Sequence, residues 1–378
     1  MSTTTTAPAA PMPDEVQALL NAYDIETTHR QVIAFGNGLI NSTWKITFPH
    51  RPEAYIFQRI NDQIFTNPPN IAANIAMIGS YLKQTAPQYL FVNPLATLQG
   101  GWLLEHPAYG WFRLFPFVPH SHTVDTLTNY RQAYEAARQF GQFTRLLHQF
   151  PAEKLLTTLP NFHNLSLRYR QFNEALAQAN LATRQQCQNE IDLLQRHEPI
   201  VLQYETITGN PNIPQRVIHH DTKISNCLFD QQGNGLCVID LDTVMPGYFI
   251  SDVGDMCRTY LCPTGEESTD LNAVSIRMDY YRAMAEGYLQ QMGPVLTEAE
   301  LDVFTYAGKF MIYMQALRFL TDFLNGNTYY PVKHALHNLN RTRHQIALLQ
   351  AYCQNEAAMQ QIIQEVMEDK GKLAGAGW

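Results

Sequence analysis

A chain of 378 residues, 45% hydrophobic and 16% charged, has the composition of an ordinary globular protein with room for two or three domains. A formal net charge of −8 without any dense Lys/Arg run argues against nucleic acid as a partner. No apolar run approaches the roughly eighteen residues a membrane helix needs, and six scattered cysteines without a CxxC pair suit a reducing compartment, so the expectation is a soluble cytoplasmic protein away from membranes.

Residues 1–14 are rich in Thr, Ala and Pro, lack a secretory signal, and read as a disordered tail. A short helix is expected over 15–23. Strands follow at 31–35, 43–48 and 54–58, where β-branched and aromatic residues dominate, with connections at 36–38 and 49–52. Ile71, Ile75, Ile78 and Leu82 form one stripe of a helix over 71–83. Short strands are expected again over 89–104. Near 111–118 the pattern changes, and helices are predicted at 127–150, 165–179, 184–204, 271–292, 297–324 and 337–367. Thr297 and Glu300 have capping-box spacing, and Asn325-Gly326 supplies a stop.

The strand-like runs 216–218, 227–229 and 235–239 frame the residues with most chemistry. His219-His220-Asp221-Thr222-Lys223-Ile224-Ser225-Asn226, then Val238-Ile239-Asp240-Leu241-Asp242, place carboxylates, a lysine and an amide close together in sequence. That is a layout for phosphoryl transfer. Asp221 can take a proton from a hydroxyl, Asn226 and Asp240 can hold Mg²⁺, and Asp242 stands close enough to assist as a third metal-ligand candidate. Lys223 is placed to offset charge on the transferring group. Hydrogen bonding alone would also account for His219 and Asp242.

The pattern His219-x-Asp221-x4-Asn226 with Val238-Ile239-Asp240 resembles the core motif of the aminoglycoside-phosphotransferase and choline-kinase superfamily, relatives of protein kinases. His-Asp-Thr-Lys at 220–223 and Val-Ile-Asp-Leu-Asp-Thr-Val-Met-Pro-Gly at 238–247 resemble more narrowly its N-acetylhexosamine 1-kinase group. Four further segments agree in order along the chain. Gly36-Asn37-Gly38-Leu39-Ile40-Asn41-Ser42-Thr43 is similar to the nucleotide loop, and 57–61 to the third strand. Residues 251–255 are similar to the element bracing the catalytic loop, and 318–329 to the sugar-site helix and its following loop.

The resemblance implies an α+β, two-lobed protein-kinase-like fold, with a small β-rich N-lobe over 15–115 and a larger, mainly helical C-lobe over 116–378. It implies ATP and Mg²⁺ as cofactors and a small-molecule sugar as partner. Asp221 becomes the catalytic base. Asn226 and Asp240 become metal ligands, with Asp242 beside them. Gly36, Gly38, Asn41, Thr43 and Arg59 fall on the nucleotide, and Arg113 to Phe117, including Phe115, on the hinge that meets adenine. Arg318 and Tyr329 become sugar contacts.

This chain departs from the superfamily in one respect. A Lys on the third strand, paired with a Glu on the next helix, is usual there. Here the strand offers Arg59, and 71–83 holds no carboxylate. Arg can fork onto phosphate but is not a plain substitute for Lys. Gly36 and Gly38 equally suit a plain hairpin turn. Arg318 equally suits a buried partner of Asp322 at i+4. Asp252 and Asp255 read as structural, with Asp255 a possible helix cap. The expected activity is phosphoryl transfer from ATP to the anomeric hydroxyl of an N-acetylhexosamine or related hexose. The rivals are the same chemistry on an aminoglycoside, choline or methylthioribose, or a nucleotide-binding regulator without catalysis.

Overall fold

The computed structural model describes residues 12–26, 28–36 and 40–375, with side chains through 369. Gly38 and the tail expected over 1–14, up to residue 11, lie outside the described residues. The chain divides into two compact units. The first runs through Ser121 and takes in two later segments, Glu153–Pro160 and Ile239–Met245; the second holds the remainder. The division is therefore not the single cut at 115/116 that the sequence suggested, and Asp240 and Asp242 belong to the first unit.

The first unit is built on an antiparallel sheet in the order β1-β2-β3-β5-β4: β1 Gln31–Ala34, β2 Ser42–Phe48, β3 Arg51–Ile60, β4 Leu104–His106 and β5 Gly110–Pro116. Alternation gives the sheet two different faces. Trp44, Ile46, Phe48, Phe57, Phe112 and Leu114 enter one core with Val16, Leu20 and Tyr23, delivered by helix α1 (Asp14–Ala18) and the 3-10 turn after it. The intervening residues Thr43, Lys45, Gln58 and Arg113 point away from that core. Helix α2 (Pro68–Thr85) starts on proline and buries Ile71, Ile75, Ile78 and Leu82 as a stripe. The short strands expected over 89–104 do not form. Pro94 interrupts the donors, Gly100 and Gly101 turn the chain at φ 87° and 123°, and only an isolated bridge from Thr97 to Tyr23 remains before β4.

The second unit is mainly helical: α3 Tyr130–Leu146, α4 Leu165–Gln178, α5 Leu181–Gln186, α6 Gln188–Arg196 and α7 Pro199–Thr208. After four short strands come α8 Ile250–Tyr260, α9 Met278–Met292, α10 Glu298–Asp302, α11 Tyr306–Leu324 and α12 His337–Gly375. The single helix expected over 184–204 is three, broken at Cys187 and again where Pro199 opens α7. Thr297 and Glu300 complete a reciprocal capping box on α10, and Asn325 ends α11 before Gly326 at φ 82°. α11 is buried along most of its circumference and packs on α4, α8 and α12. Strands β6 Arg216–Ile218, β7 Cys227–Phe229 and β8 Gly235–Val238 sit among these helices, β7 and β8 as an antiparallel pair. A small sheet and a helical body thus form as expected. All six cysteines are free thiols, five of them buried. Among the described residues no helix is long and apolar enough to cross a membrane.

Candidate active site

The loop 219–226 leaves the fully buried strand β6 in the second unit. His220 takes a left-handed conformation, φ 66°. Its ring fits only because residue 247 is glycine: a Cβ there would lie 2.4 Å from His220 Nε2. Helix α8 clamps the loop. Asp252 accepts the backbone N–H groups of His219 (3.1 Å) and His220 (2.7 Å), and Asp255 accepts that of Thr222 (2.8 Å). Thr222 is wholly buried. Its hydroxyl donates to the Asp252 carbonyl, and the Tyr260 hydroxyl donates to the Thr222 carbonyl. Burial pushes Asp252 up to about 7 against the pull of those two N–H groups, and burial also raises Asp255 despite Arg258. Asp255 lies inside α8 rather than at its cap.

Asp221 projects from this clamped loop with its side chain 25% exposed. Lys223 Nζ lies 2.7 Å from Asp221 Oδ2, and Asn226 Nδ2 donates to the same oxygen at 2.9 Å and to the Asp221 carbonyl at 2.9 Å. Burial alone would raise this carboxyl. The Lys223 ammonium, His219 and the Asn226 amide outweigh it and hold Asp221 below the usual carboxylate range. Asp221 is therefore an ionised acceptor at neutral pH, while the Asn226 Oδ1 oxygen is not used in these bonds.

The turn 240–244 belongs to the first unit. Asp240 is left-handed, φ 62° and ψ 59°, and opens the 3-10 turn Leu241–Thr243. Asp242 is 1% exposed and Arg113 2%. Arg113 Nη2 sits 2.5 Å from Asp242 Oδ1, a close ion pair not aligned as a hydrogen bond, and Asn41 Nδ2 donates to Asp242 Oδ2 at 2.8 Å. Gln58 Oε1 accepts from Arg113 Nε at 3.0 Å and Nη2 at 2.5 Å. On α2, Asn74 donates to the Val244 carbonyl at 3.0 Å. Sequence reasoning treated Arg113 as hinge backbone, and its side chain turns out to be the ion-pair partner of Asp242.

The remaining nucleotide candidates separate by strand alternation. Thr43 Oγ1 accepts from Gln58 Nε2 at 3.2 Å, on the face away from the core. Arg59, one residue on, pairs in register with Ser42 and Phe112 and points the other way from Gln58. Phe115 lies against the Arg113 guanidinium at 5.0 Å, and Gly36 is left-handed at φ 79°. Lys45, not singled out from sequence, stands over Phe117 at 3.6 Å and Phe35 at 5.5 Å. A lone lysine between Trp44 and Ile46 on a strand was the available signal.

Arg318 and Tyr329 are in the second unit with Asp221. Asp322 is not the partner of Arg318. It accepts the N–H groups of Thr328, Tyr329 and Tyr330 at 2.9, 2.8 and 2.9 Å and the Asn338 amide at 2.8 Å, so it shapes the loop after α11. Among the described residues Arg318 forms no ion pair. It meets Gln315 at 3.4 Å and faces the rings of Phe162 (5.9 Å), Tyr329 (5.9 Å) and Tyr330 (5.5 Å). His163 stacks on Phe162 at 4.3 Å and lies 5.3 Å from His220, which precedes Asp221. Burial first, then His220, Arg318, Arg258 and Arg168, push His163 well below its usual range. Burial and Arg318 lower Arg168 as well. Tyr330, His163 and Arg168 were missed from sequence, where isolated aromatic and basic residues carry no pattern.

The oxygen donors Asn226 and Asp240 have the hard-ligand chemistry that Mg²⁺ prefers. Among the described residues no group of three His, Cys, Asp or Glu side chains could hold a metal.

A model of the phosphotransferase enzyme family matches residues 31–288. The chain belongs to that family. It spans both units and every candidate residue up to α9, and it makes the protein a phosphotransferase. Solved structures share the fold at low identity. An aminoglycoside phosphotransferase from Alicyclobacillus acidocaldarius superposes with a TM-score of 0.62 at 14% identity, over 96% of this chain and 99% of that one. An amicoumacin kinase in complex with AMP-PNP and Ca²⁺ gives 0.59 at 16%, over 88% and 92%. A microcompartment-associated aminopropanol kinase gives 0.58 at 16%, over 91% and 98%.

Proposed function

We propose that this phosphotransferase is a small-molecule kinase that transfers the γ-phosphoryl group of ATP to the anomeric hydroxyl of an N-acetylhexosamine or related hexose. Asp221 accepts the hydroxyl proton or orients it. Its depressed pKa makes it a weak base, which suits an anomeric hydroxyl, more acidic than other sugar hydroxyls. Lys223 offsets charge building on the transferring group. Asn226 and Asp240 supply oxygen ligands for Mg²⁺, whose chemistry when bound is to neutralise the phosphates. Asn41, Thr43 and Gly36 serve the nucleotide, with Lys45 and Phe117 beside the expected hinge.

The observation carrying the acceptor class is the surroundings of Arg318. Arg318 lies among the rings of Phe162, Tyr329 and Tyr330 without an ion pair among the described residues, and it acts as a cation on both His163 and Arg168. An ammonium acceptor such as choline, aminopropanol or an aminoglycoside would meet repulsion there. A neutral sugar finds guanidinium donors, tyrosines and an aromatic face.

A coupled ADP-release assay tests this with free hexoses, N-acetylhexosamines, methylthioribose, choline and an aminoglycoside as acceptors. The expected result is sugar-dependent ADP, with a product whose phosphorus couples to the anomeric proton in NMR. Turnover confined to the amines would replace the sugar reading with an amino-alcohol one. Measurable ATP binding with no acceptor-dependent ADP would favour the regulator.

A further inference from the structure

The turn 240–244 carries a second carboxylate, Asp242, and is tied down by three side chains within the first unit. The guanidinium of Arg113 forms the ion pair, and its planar fork is set by Gln58, the residue directly opposite it across the β3–β5 ladder. Asn41 holds the other oxygen of Asp242 while its own Oδ1 accepts the Asn61 N–H at 3.0 Å. Asn74 pins the end of the turn through the Val244 carbonyl and also bonds the backbone of Leu156 through its amide N (2.8 Å) and O (2.8 Å). Arg113 and Asp242 are both almost wholly withdrawn from water.

A buried ion pair seldom adds net stability over a well-packed apolar pair, so stability is a weak reason for this one, and fixing a register is a better-attested use. What it registers is the backbone that sets Asp240 in its left-handed conformation two residues earlier. The guanidinium stands on the sheet face away from the core. The expected strand lysine is absent, and α2 carries amides rather than a carboxylate.

We propose that Arg113, Gln58 and Asp242 form a displaced cation–carboxylate lock that fixes the Asp240 turn for the metal–nucleotide complex. The cation comes from β5 in place of the third strand, and the anion from the turn itself in place of the helix. Asp242 is then a positioning residue rather than a metal ligand. The inference rests on the kinase reading above.

The test is calorimetric binding of a non-hydrolysable ATP analogue with and without Mg²⁺, alongside thermal melts. Arg113→Lys keeps the charge but cannot fork to Gln58 and Asp242 together. It is expected to remain folded and lose about tenfold of the affinity that Mg²⁺ adds, with metal-free binding little changed. The paired exchange Arg113→Met with Asp242→Leu removes both charges and is expected to lose the Mg²⁺ gain while melting near wild type. A Mg²⁺ gain in Arg113→Lys equal to or above wild type overturns the lock, as it would if Asp242 were itself a ligand. A full gain in the paired exchange overturns it too. If the paired exchange fails to fold, Arg113→Lys decides alone. A wild-type protein whose nucleotide binding ignores Mg²⁺ would sink the kinase reading and the lock with it.

Discussion

The loop 219–226 hangs from α8 by carboxylates that receive its backbone N–H groups, whereas the turn 240–244 hangs from Arg113 of β5, Asn74 of α2 and Asn41 just before β2. Both contain a left-handed residue, His220 and Asp240, so both need outside support. The supports differ in their electrostatic consequence. Asp252 is buried, forms no ion pair among the described residues, and its carboxyl is pushed up to about 7. Asp242 is equally buried but lies against Arg113. Anchoring through Asp252 leaves one loop sensitive to protons, while anchoring by the Arg113–Asp242 ion pair leaves the other sensitive to loss of its partner.

The largest effect should come from Asp221, the residue the α8 anchors serve. Asp221→Asn is expected to lower turnover by roughly a thousandfold, within the span of general-base catalysis, while nucleotide affinity stays near wild type. Steady-state kinetics with parallel binding measurements check it, and near-normal turnover would remove Asp221 from the role of base. Next comes the carboxylate anchor. Asp252→Ala strands the N–H groups of His219 and His220 in a dry interior and should cost about 2–4 kcal/mol of unfolding free energy. Denaturant titration reads it, and a loss below about 1 kcal/mol would mean that the loop is held mainly by Thr222 and Asp255.

The smallest effect separates the two anchors by pH. A carboxyl whose folded pKa is raised gives stability that is full below its unfolded value near 4 and lost as pH climbs to its folded value, so Asp252, with Asp255, should make the protein less stable between about pH 4 and 7. Asp221, shifted the other way, loses its contribution only at still lower pH. Melting curves across that window should slope in the wild type and flatten in Asp252→Asn. An equal slope in both would place the titration elsewhere.

The sequence made the chemical string easier to read than its supports. Asp221, Lys223, Asn226 and Asp240 cluster in the chain because one loop and one hairpin carry them, and local spacing reports local geometry. Most strands were legible for a related reason: alternation in 43–48 and 54–58 follows directly from one buried face. The segment 89–104 misled because its apolar residues pack without a ladder once Pro94 removes a donor. Arg113 with Asp242 joins residues 129 positions apart, and Asn41 with Asp242 joins residues 201 apart. Nothing in a single sequence announces such pairs. Arg318 with Asp322 had the right helical spacing, yet three backbone N–H groups of the following loop are what the carboxylate receives.

The left-handed backbone at Asp240 also sets how this protein can decay. Asp, Asn and Gly enter that conformation at low cost, and most other residues do not. Glutamate would keep the charge but strain the chain, so the two acidic residues are not interchangeable here. The substitutions that leave the fold undisturbed are Asn and Gly, and both remove the carboxylate. Under the proposed metal-binding role of Asp240, lineages that stop needing the reaction have an open path to a folded, catalytically silent descendant, while those that need it are confined to a single amino acid.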